Sequence, residues 1–268
     1  MTENNDNQSF VHSLNLKDDI SHFDILPNNM QHTIEEKIVL VIYDSFVISG
    51  DEDYLTSRLM AQKGLERAFF WAASQSIEKY LKAFLLFNGK SIIKYQGHPI
   101  KKLLADAILI DRTINNIDIS PHSDICIDEA SLSYLKIFQL SDFIDDLNVY
   151  GDAGNRYNSR GITFSTGHLL ALDSLIFQLR EKIDVPSILH SLKGVSEDLI
   201  EIFNDNNPYF CKIEQSYHSQ IPSNKFPIKR SISVTTLDII FKNKSEPSYN
   251  MALQWLNQKM KLPKSMKQ

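Results

Sequence analysis

The clearest pattern in the chain is an apolar stripe between residues 69 and 85. Apolar and small side chains recur there at steps of three and four residues, which is the spacing of one face of an α-helix. The positions of the stripe are Phe69, Ala72, Ala73, Ser76, Ile77, Tyr80, Leu81, Phe84 and Leu85. Small residues in its first half permit the close approach of another helix. The pattern predicts a buried bundle helix that ends at Asn88-Gly89.

Other stretches with helical spacing lie on both sides of this helix. They predict further helices at about residues 33–48, 53–63, 100–110, 128–147, 167–182, 195–203 and 249–260. The first of these starts from capping-box spacing at Thr33 and Glu36, although its apolar run IVLVIY also fits a buried strand. Residues 231–236 alternate in the manner of a β-strand. The chain is therefore predicted to be mostly α-helical.

Three short motifs follow one another across residues 54–103. They are Tyr54, Leu55, Arg58 and Gly64, then QSIEKYLKA at residues 75–83, then GHPIKKL at residues 97–103. In this order they resemble the HEPN domain, an all-helical family found in prokaryotic toxin, defence and stress systems and in some eukaryotic proteins. The resemblance covers residues 50–183. It implies an up-and-down helical bundle that binds nucleotides or RNA and commonly pairs as a homodimer.

The pattern and the resemblance together predict three regions. Residues 1–32 are rich in Asn, Asp and Ser and are expected to form a mobile N-terminal extension. Residues 33–185 form the HEPN-like helical bundle. Residues 186–268 form a small C-terminal appendage of mixed structure that is partly helical and basic.

The net charge of −5 hides an uneven distribution. Residues 221–268 hold nine lysines and arginines against two acidic residues, a net charge of +7, which leaves −12 for residues 1–220. The basic segment fits two interpretations, a solvated tail that balances the acidic body or a contact with a polyanion. Solvated faces are the commoner use of such charge runs.

Cysteine usage and the N-terminus restrict the class of protein. Cys126 and Cys211 lie far apart without a CxxC motif, which argues against a disulfide scaffold and favours a reducing cytoplasm. His122 and Cys126 would have metal-ligand spacing only in a helix, and Pro121 favours a loop. Residues 1–10 lack the features of a signal peptide, and no apolar run approaches the length of a membrane span. We expect a soluble cytoplasmic protein without a metal or cofactor.

Catalytic residues are harder to assign. The resemblance implies that ribonucleolytic members carry an arginine followed after about four to six residues by a histidine, which act together on the ribose hydroxyl and the phosphate. Seven residues separate Arg160 from His168, the nearest approach to such a pair in this chain. These two residues are the candidate catalytic pair.

Binding candidates lie in the loop before that histidine and on the predicted central helix. Arg156, Tyr157 and Arg160 combine guanidinium groups that bind phosphate with a ring that stacks on bases. Lys79 and Lys82 lie on the central helix, where they either line a nucleotide cleft or, with Glu78, form an exposed ion-paired face. The loop arginines have an alternative use as partners of helix C-terminal carbonyls.

Three functions remain open. The first is a noncatalytic module in a prokaryotic stress or defence setting that binds RNA or a nucleotide and interacts with proteins. The second is a divergent metal-independent endoribonuclease, of the kind found in toxin-antitoxin systems, that uses Arg160 and His168. The third is a structural dimeric partner of a second protein such as a nucleotidyltransferase.

Overall fold

The computed structural model describes residues 14, 16–95, 97–123, 125, 135–152, 161–188, 195–205, 207, 209, 210 and 235–260. Within these residues the chain is mostly helical and contains no β-strand, so the predicted fold class of a helical bundle is confirmed. The α-helices are α1 (Leu16–Asp19), α2 (Asn28–Ile42), α3 (Ser49–Gln62), α4 (Glu66–Phe87), α5 (Ile100–Ile110), α6 (Leu140–Tyr150), α7 (Thr166–Ile183), α8 (Glu197–Asn204), α9 (Thr236–Lys242) and α10 (Pro247–Lys259). Short 3₁₀ turns occur at Phe23–Ile25 and Arg112–Asn116.

The first part of the bundle is one long helical segment whose geometry changes in the middle. The π-helical stretch Tyr43–Ile48 joins α2 to α3, and the backbone keeps right-handed helical angles through both junctions. After α3, Gly64 adopts a positive φ of 68°. Its N–H donates to the Ala61 carbonyl, and the N–H of Leu65 donates to the Met60 carbonyl. This glycine-dependent stop reverses the chain directly into α4.

α4 is the central helix of the bundle. It packs along α3 and also contacts α5, α6 and α7. All nine positions of the predicted apolar stripe are buried, with no residue more than 3% exposed, so this helix and its buried face are confirmed. Gly151, just after α6, lies against Ser74 and the Phe70 carbonyl. This contact lies beside the nine stripe positions. Within the small-residue half of the stripe, the Ser76 hydroxyl donates to the Gly50 carbonyl of α3 at 2.9 Å.

The helix predicted from residue 33 begins earlier and continues further. It starts at Asn28 and runs through the π-helical stretch into α3, so the alternative of a strand at residues 38–43 is wrong. Thr33 lies inside the helix and its hydroxyl donates to the Asn29 carbonyl at 2.8 Å, so it is not the predicted cap. The apolar run belongs to a helix because Ile38, Val41 and Ile42 are all buried on a face that packs against α4 and α10.

Only the second half of the helix predicted at residues 128–147 falls within the described residues. Residues 126–134 lie outside the described residues, residues 135–139 are not helical, and α6 starts at Leu140. The Phe138 ring lies 4.4 Å from the His168 ring, and the Lys136 carbonyl lies against Gly167. Residues 136–138 therefore cross the start of α7, and this contact takes the place of a continued helix.

The predicted β-like alternation falls mainly outside the described residues, at 231–234. Its last two residues start a helix. The Thr235 hydroxyl accepts a hydrogen bond from the Asp238 N–H, and the Asp238 carboxylate accepts one from the Thr235 N–H. This reciprocal capping box begins α9 and overrides the β-branched pattern.

The described parts of the C-terminal region pack on the same core as the bundle. α8 lies on α3, whereas α9 and α10 lie on α2. Trp255 of α10 is fully buried, and its indole N–H donates to Asp19 at 2.9 Å. One cluster of buried apolar side chains includes Leu14 and Met260 and extends across the predicted boundaries at residues 32 and 185. None of the helices in the described ranges is long and apolar enough to cross a membrane.

Candidate functional site

One narrow line of side chains on the central helix reaches the surface. Between residues 69 and 87, only Trp71, Gln75, Lys79 and Lys82 are partly exposed, and every other residue of that stretch of α4 is buried. Steps of four, four and three residues place these four side chains on one helical face. We call this line the α4 strip. It collects an aromatic ring, an amide and two ammonium groups along about 16 Å of helix.

His98, just before α5, joins the α4 strip through the buried Glu78. Its Nδ1 atom lies 2.7 Å from Glu78 Oε2 and 2.9 Å from the Gln75 amide nitrogen, while Glu78 Oε1 accepts from Lys82 Nζ at 2.5 Å. The predicted Glu78–Lys82 helical ion pair is therefore confirmed. Glu78 and Gln75 both contact Nδ1, so the described hydrogen bonds of the imidazole use one of its two nitrogens.

His98 Nε2 makes no hydrogen bond to any residue in the described part of the chain, and 29% of the side chain is exposed. The ring meets Trp71 edge to face, with centroids 5.1 Å apart. The ring thus packs against Trp71, and this packing leaves one ring nitrogen able to accept or donate a hydrogen bond.

The two lysines predicted to bind a nucleotide are both held by acidic partners. Lys79 Nζ lies 2.6 Å from Asp53 Oδ2 and donates to the Ser49 carbonyl at 3.1 Å, whereas Lys82 pairs with Glu78. These pairs orient the ammonium groups along the α4 strip but offset much of their charge. A bound phosphate would therefore compete with Asp53 and Glu78 for these ammonium groups.

His168, one of the two candidate catalytic residues, has a structural role in the core. The side chain is 1% exposed, Nδ1 accepts from the Ser165 N–H at 3.0 Å, and Nε2 lies 3.2 Å from Asp146 Oδ2. It therefore completes a capping box at the start of α7. Burial holds the pKa of His168 below its ordinary value, although Asp146 acts in the opposite direction. With both nitrogens engaged, this imidazole does not reach a substrate at the surface.

Aromatic rings enclose His168 on several sides. The rings of Phe70, Phe138, Phe143 and Phe164 lie with centroids 4.4 to 6.4 Å from the imidazole. Phe164 is stacked on it, with an interplanar angle of 15°. The imidazole is thus part of the core where α4, α6 and α7 meet.

The remaining predicted binding residues, Arg156, Tyr157 and Arg160, lie outside the described residues. The chain on the near side of that segment is close to the α4 strip, because Gly151 contacts Ser74 and the Phe70 carbonyl. Those two positions each lie one residue before a member of the strip, Trp71 and Gln75. Gly151, the first residue after α6, therefore lies close to the end of the strip that carries Trp71 and Gln75.

Two buried ion pairs between α3 and α7 were not expected from the sequence. Arg58 pairs with Asp173, and Arg180 pairs with Asp51; both carboxylates and the Arg58 side chain are at most 1% exposed. Asp51 and Arg58 are seven residues apart on α3, as are Asp173 and Arg180 on α7. The antiparallel helices thus exchange one charge pair in each direction. This repeated D-x₆-R spacing was the available signal in the sequence.

Each buried carboxylate also accepts a tyrosine hydroxyl. Tyr54 donates to Asp173 at 2.6 Å, and Tyr80 donates to Asp51. Burial, together with the neighbouring carboxylate, raises the pKa of both tyrosines well above the ordinary value. Burial also raises the pKa of Asp173, against the opposing effect of Arg58. These groups hold the helices together and are inaccessible to a ligand.

No group of three or more His, Cys, Asp or Glu side chains arranged to hold a metal ion occurs among the described residues. Comparisons of the chain with protein-family models, with curated proteins and with solved structures gave no match.

Proposed function

We propose that this protein is a HEPN-like helical module that binds single-stranded RNA or a nucleotide on the α4 strip without cleaving it. The observation that supports the proposal is the cluster of Trp71, Gln75, Lys82 and His98, in which none of the described residues hydrogen-bonds His98 Nε2. The motifs shared with HEPN domains suggest a prokaryotic stress or defence setting. A homodimer and a nucleotidyltransferase partner remain expectations of the same resemblance.

The chemistry of the α4 strip suits a nucleotide. A base can stack on the Trp71 ring, a contact worth about 1–3 kcal/mol in single-stranded complexes. His98 Nε2 can hydrogen-bond a phosphate or a base edge, and the Lys82 ammonium adds charge beside it. Arg156 and Arg160, which follow Gly151 in the chain, would supply phosphate contacts that the acid-paired lysines offer only in part.

The position of His168 favours binding over cleavage. A general base must reach the proton that it removes, and this imidazole is enclosed by phenylalanine rings with both nitrogens hydrogen-bonded. The endoribonuclease that would use Arg160 and His168 thus lacks an accessible base. We propose a noncatalytic module for this reason.

Fluorescence anisotropy with a short single-stranded RNA at two salt concentrations tests the proposal. We expect Trp71→Ala and His98→Ala each to weaken binding about five- to fiftyfold, from the loss of one stacking or charged contact. His32→Ala, at an exposed histidine of α2, is the matched control and should bind as the wild type does. Equal binding by all three variants would refute the α4 strip as the site.

Two further variants distinguish RNA binding by the arginines of the loop from RNA binding by the basic C-terminal segment. Arg156→Ala with Arg160→Ala should weaken binding and reduce the salt dependence, by about 0.7 in logarithmic slope for each lost phosphate contact. A truncation after Ile221 is unsuitable because it removes the buried Trp255 from the core. Lys225, Lys229 and Arg230 are replaced by Gln instead, and unchanged binding is expected. No binding by the intact protein at low salt would overturn the proposal and favour the structural-partner function.

A further inference from the structure

α8 is held on α3 by its C-terminal end. Arg58 Nε donates to the Ile202 carbonyl at 3.1 Å, and Arg58 Nη2 donates to the Asp205 carbonyl. Gln62 Nε2 lies 3.3 Å from the Ile202 carbonyl and also 3.3 Å from Asp205 Oδ2. The last carbonyls of a helix lack partners within the helix and carry partial negative charge, so a guanidinium is a favourable ligand for them.

The α3 residues that contact the C-terminal end of α8 form one line. Tyr54, Arg58 and Gln62 are spaced at four-residue steps, so they share a helical face. The Tyr54 hydroxyl accepts from the Asn207 amide at 3.0 Å, and the same amide donates to the Phe203 carbonyl at 2.9 Å. Arg58 and Gln62 thus contact the C-terminal end of α8 directly, and Tyr54 contacts it through the Asn207 amide.

The apolar attachment of α8 uses few residues. Of its eight residues only Phe203 is fully buried, while Leu199 and Ile202 are partly buried and pack against the core, and the described contacts of α8 with other helices are chiefly with α3. The acidic residues of its first turn, Glu197 and Asp198, are exposed. A segment with little buried apolar surface opens at a lower free energy than the core helices.

The Arg58–Asp173 ion pair beneath α8 does not include any group of α8. Arg58 uses Nη1 for Asp173 and its other nitrogens for the α8 carbonyls. Without α8, Arg58 would keep Asp173, and water would replace the carbonyls. Hydration of a buried ion pair is favourable, and this offsets part of the contacts that are lost.

We propose that α8 is a releasable helix and that the α3 line of Tyr54, Arg58 and Gln62 is a receptor for a helix C-terminus, which α8 fills within its own chain. The partner that this surface fits is the carbonyl end of an α-helix with an aromatic side chain beside it, as Phe203 is beside Tyr54 with ring centroids 6.4 Å apart. This receptor is separate from the α4 strip and does not rest on RNA binding.

Hydrogen-deuterium exchange of the full-length protein, followed by peptide mass spectrometry, tests the proposal. In the wild type, amides of α8 should exchange at least tenfold faster than those of α3 and α4, because α8 opens without the rest of the bundle. Gln62→Ala removes an exposed donor and should raise α8 exchange about two- to tenfold with no change in α4. Gln178→Ala on α7, which removes the bond to the Asp118 carbonyl, is the matched control and should leave α8 unchanged.

Arg58→Lys keeps the charge but loses the fork that reaches two carbonyls. It should raise the α8 exchange rate about ten- to a hundredfold more than it raises the α4 exchange rate. The comparison with α4 corrects for a general loss of stability. Exchange of α8 in step with α4 in the wild type would overturn the proposal. Equal α8 exchange in the Gln62 and Gln178 variants would also overturn it.

Discussion

Gly167, the second residue of α7, has no room for a side chain. A Cβ atom there would lie 1.9 Å from the Lys136 carbonyl oxygen, whereas ordinary contacts begin at about 3.4 Å. The obstacle is backbone, so no rotamer change relieves the clash. In Gly167→Ala, residues 136–138 and α7 must separate by about 1.5 Å, and Phe138 and His168 lie in that contact.

The expected loss follows from two opposing effects. Overpacking that moves backbone costs about 2–4 kcal/mol, and alanine is a better helix former than glycine by about 1 kcal/mol. We therefore expect Gly167→Ala to lower the free energy of unfolding by about 1–3 kcal/mol, measured as a lower urea midpoint at an unchanged slope.

Gly161→Ala is the matched control for this substitution. A Cβ atom at Gly161 meets nothing within 4 Å, and its φ is not in the left-handed region. Its urea midpoint should stay within about 0.5 kcal/mol of the wild type or rise slightly. Equal midpoints for Gly167→Ala and Gly161→Ala would show that the chain does not cross α7 at Lys136 as described.

Two further predictions concern the core. Ala73→Leu adds bulk at a fully buried position of α4 and should lower the free energy of unfolding by about 1–3 kcal/mol; a melting temperature equal to that of the wild type would contradict this. The pKa of His168 is lowered in the folded state by burial, so the unfolded chain binds the proton first as the pH falls. The stabilising contribution of neutral His168 is present above about pH 6.5 and is lost toward the lower folded pKa. His168→Gln, which keeps a capping-box side chain, should flatten urea stability between pH 7 and 5; an unchanged slope would contradict the assignment.

The central helix was predictable because burial of one face repeats along it. The nine positions from Phe69 to Leu85 carry that period without interruption, and all are buried. The π-helical stretch at Tyr43–Ile48 was not predictable in the same way. Its side-chain period differs too little from that of an α-helix to be read from six residues. The non-helical residues before α6 were missed because Leu135 and Phe138 also have helical spacing.

The buried charges were missed for a different reason. A charged residue such as Asp51 or Arg180 is usually exposed, and only a partner on a distant helix makes its burial favourable. The sequence does not show which helices are neighbours, so the D-x₆-R repeats alone did not predict that these residues pair with each other in the core. The Glu78–Lys82 pair was predictable because both partners lie on one helix. The contact of Glu78 with His98 required the start of α5 to be placed beside α4.

Intrinsic tryptophan fluorescence tests the central claim most directly, because the two tryptophans differ in position. Trp71 lies on the α4 strip, whereas Trp255 is fully buried beside Asp19. Titration of the full-length protein with a short single-stranded RNA should quench the emission in a saturable way through stacking on Trp71. Trp71→Phe should abolish the quenching, and Trp255 emission should stay constant. No quenching, or quenching that persists in Trp71→Phe, would contradict binding on the α4 strip.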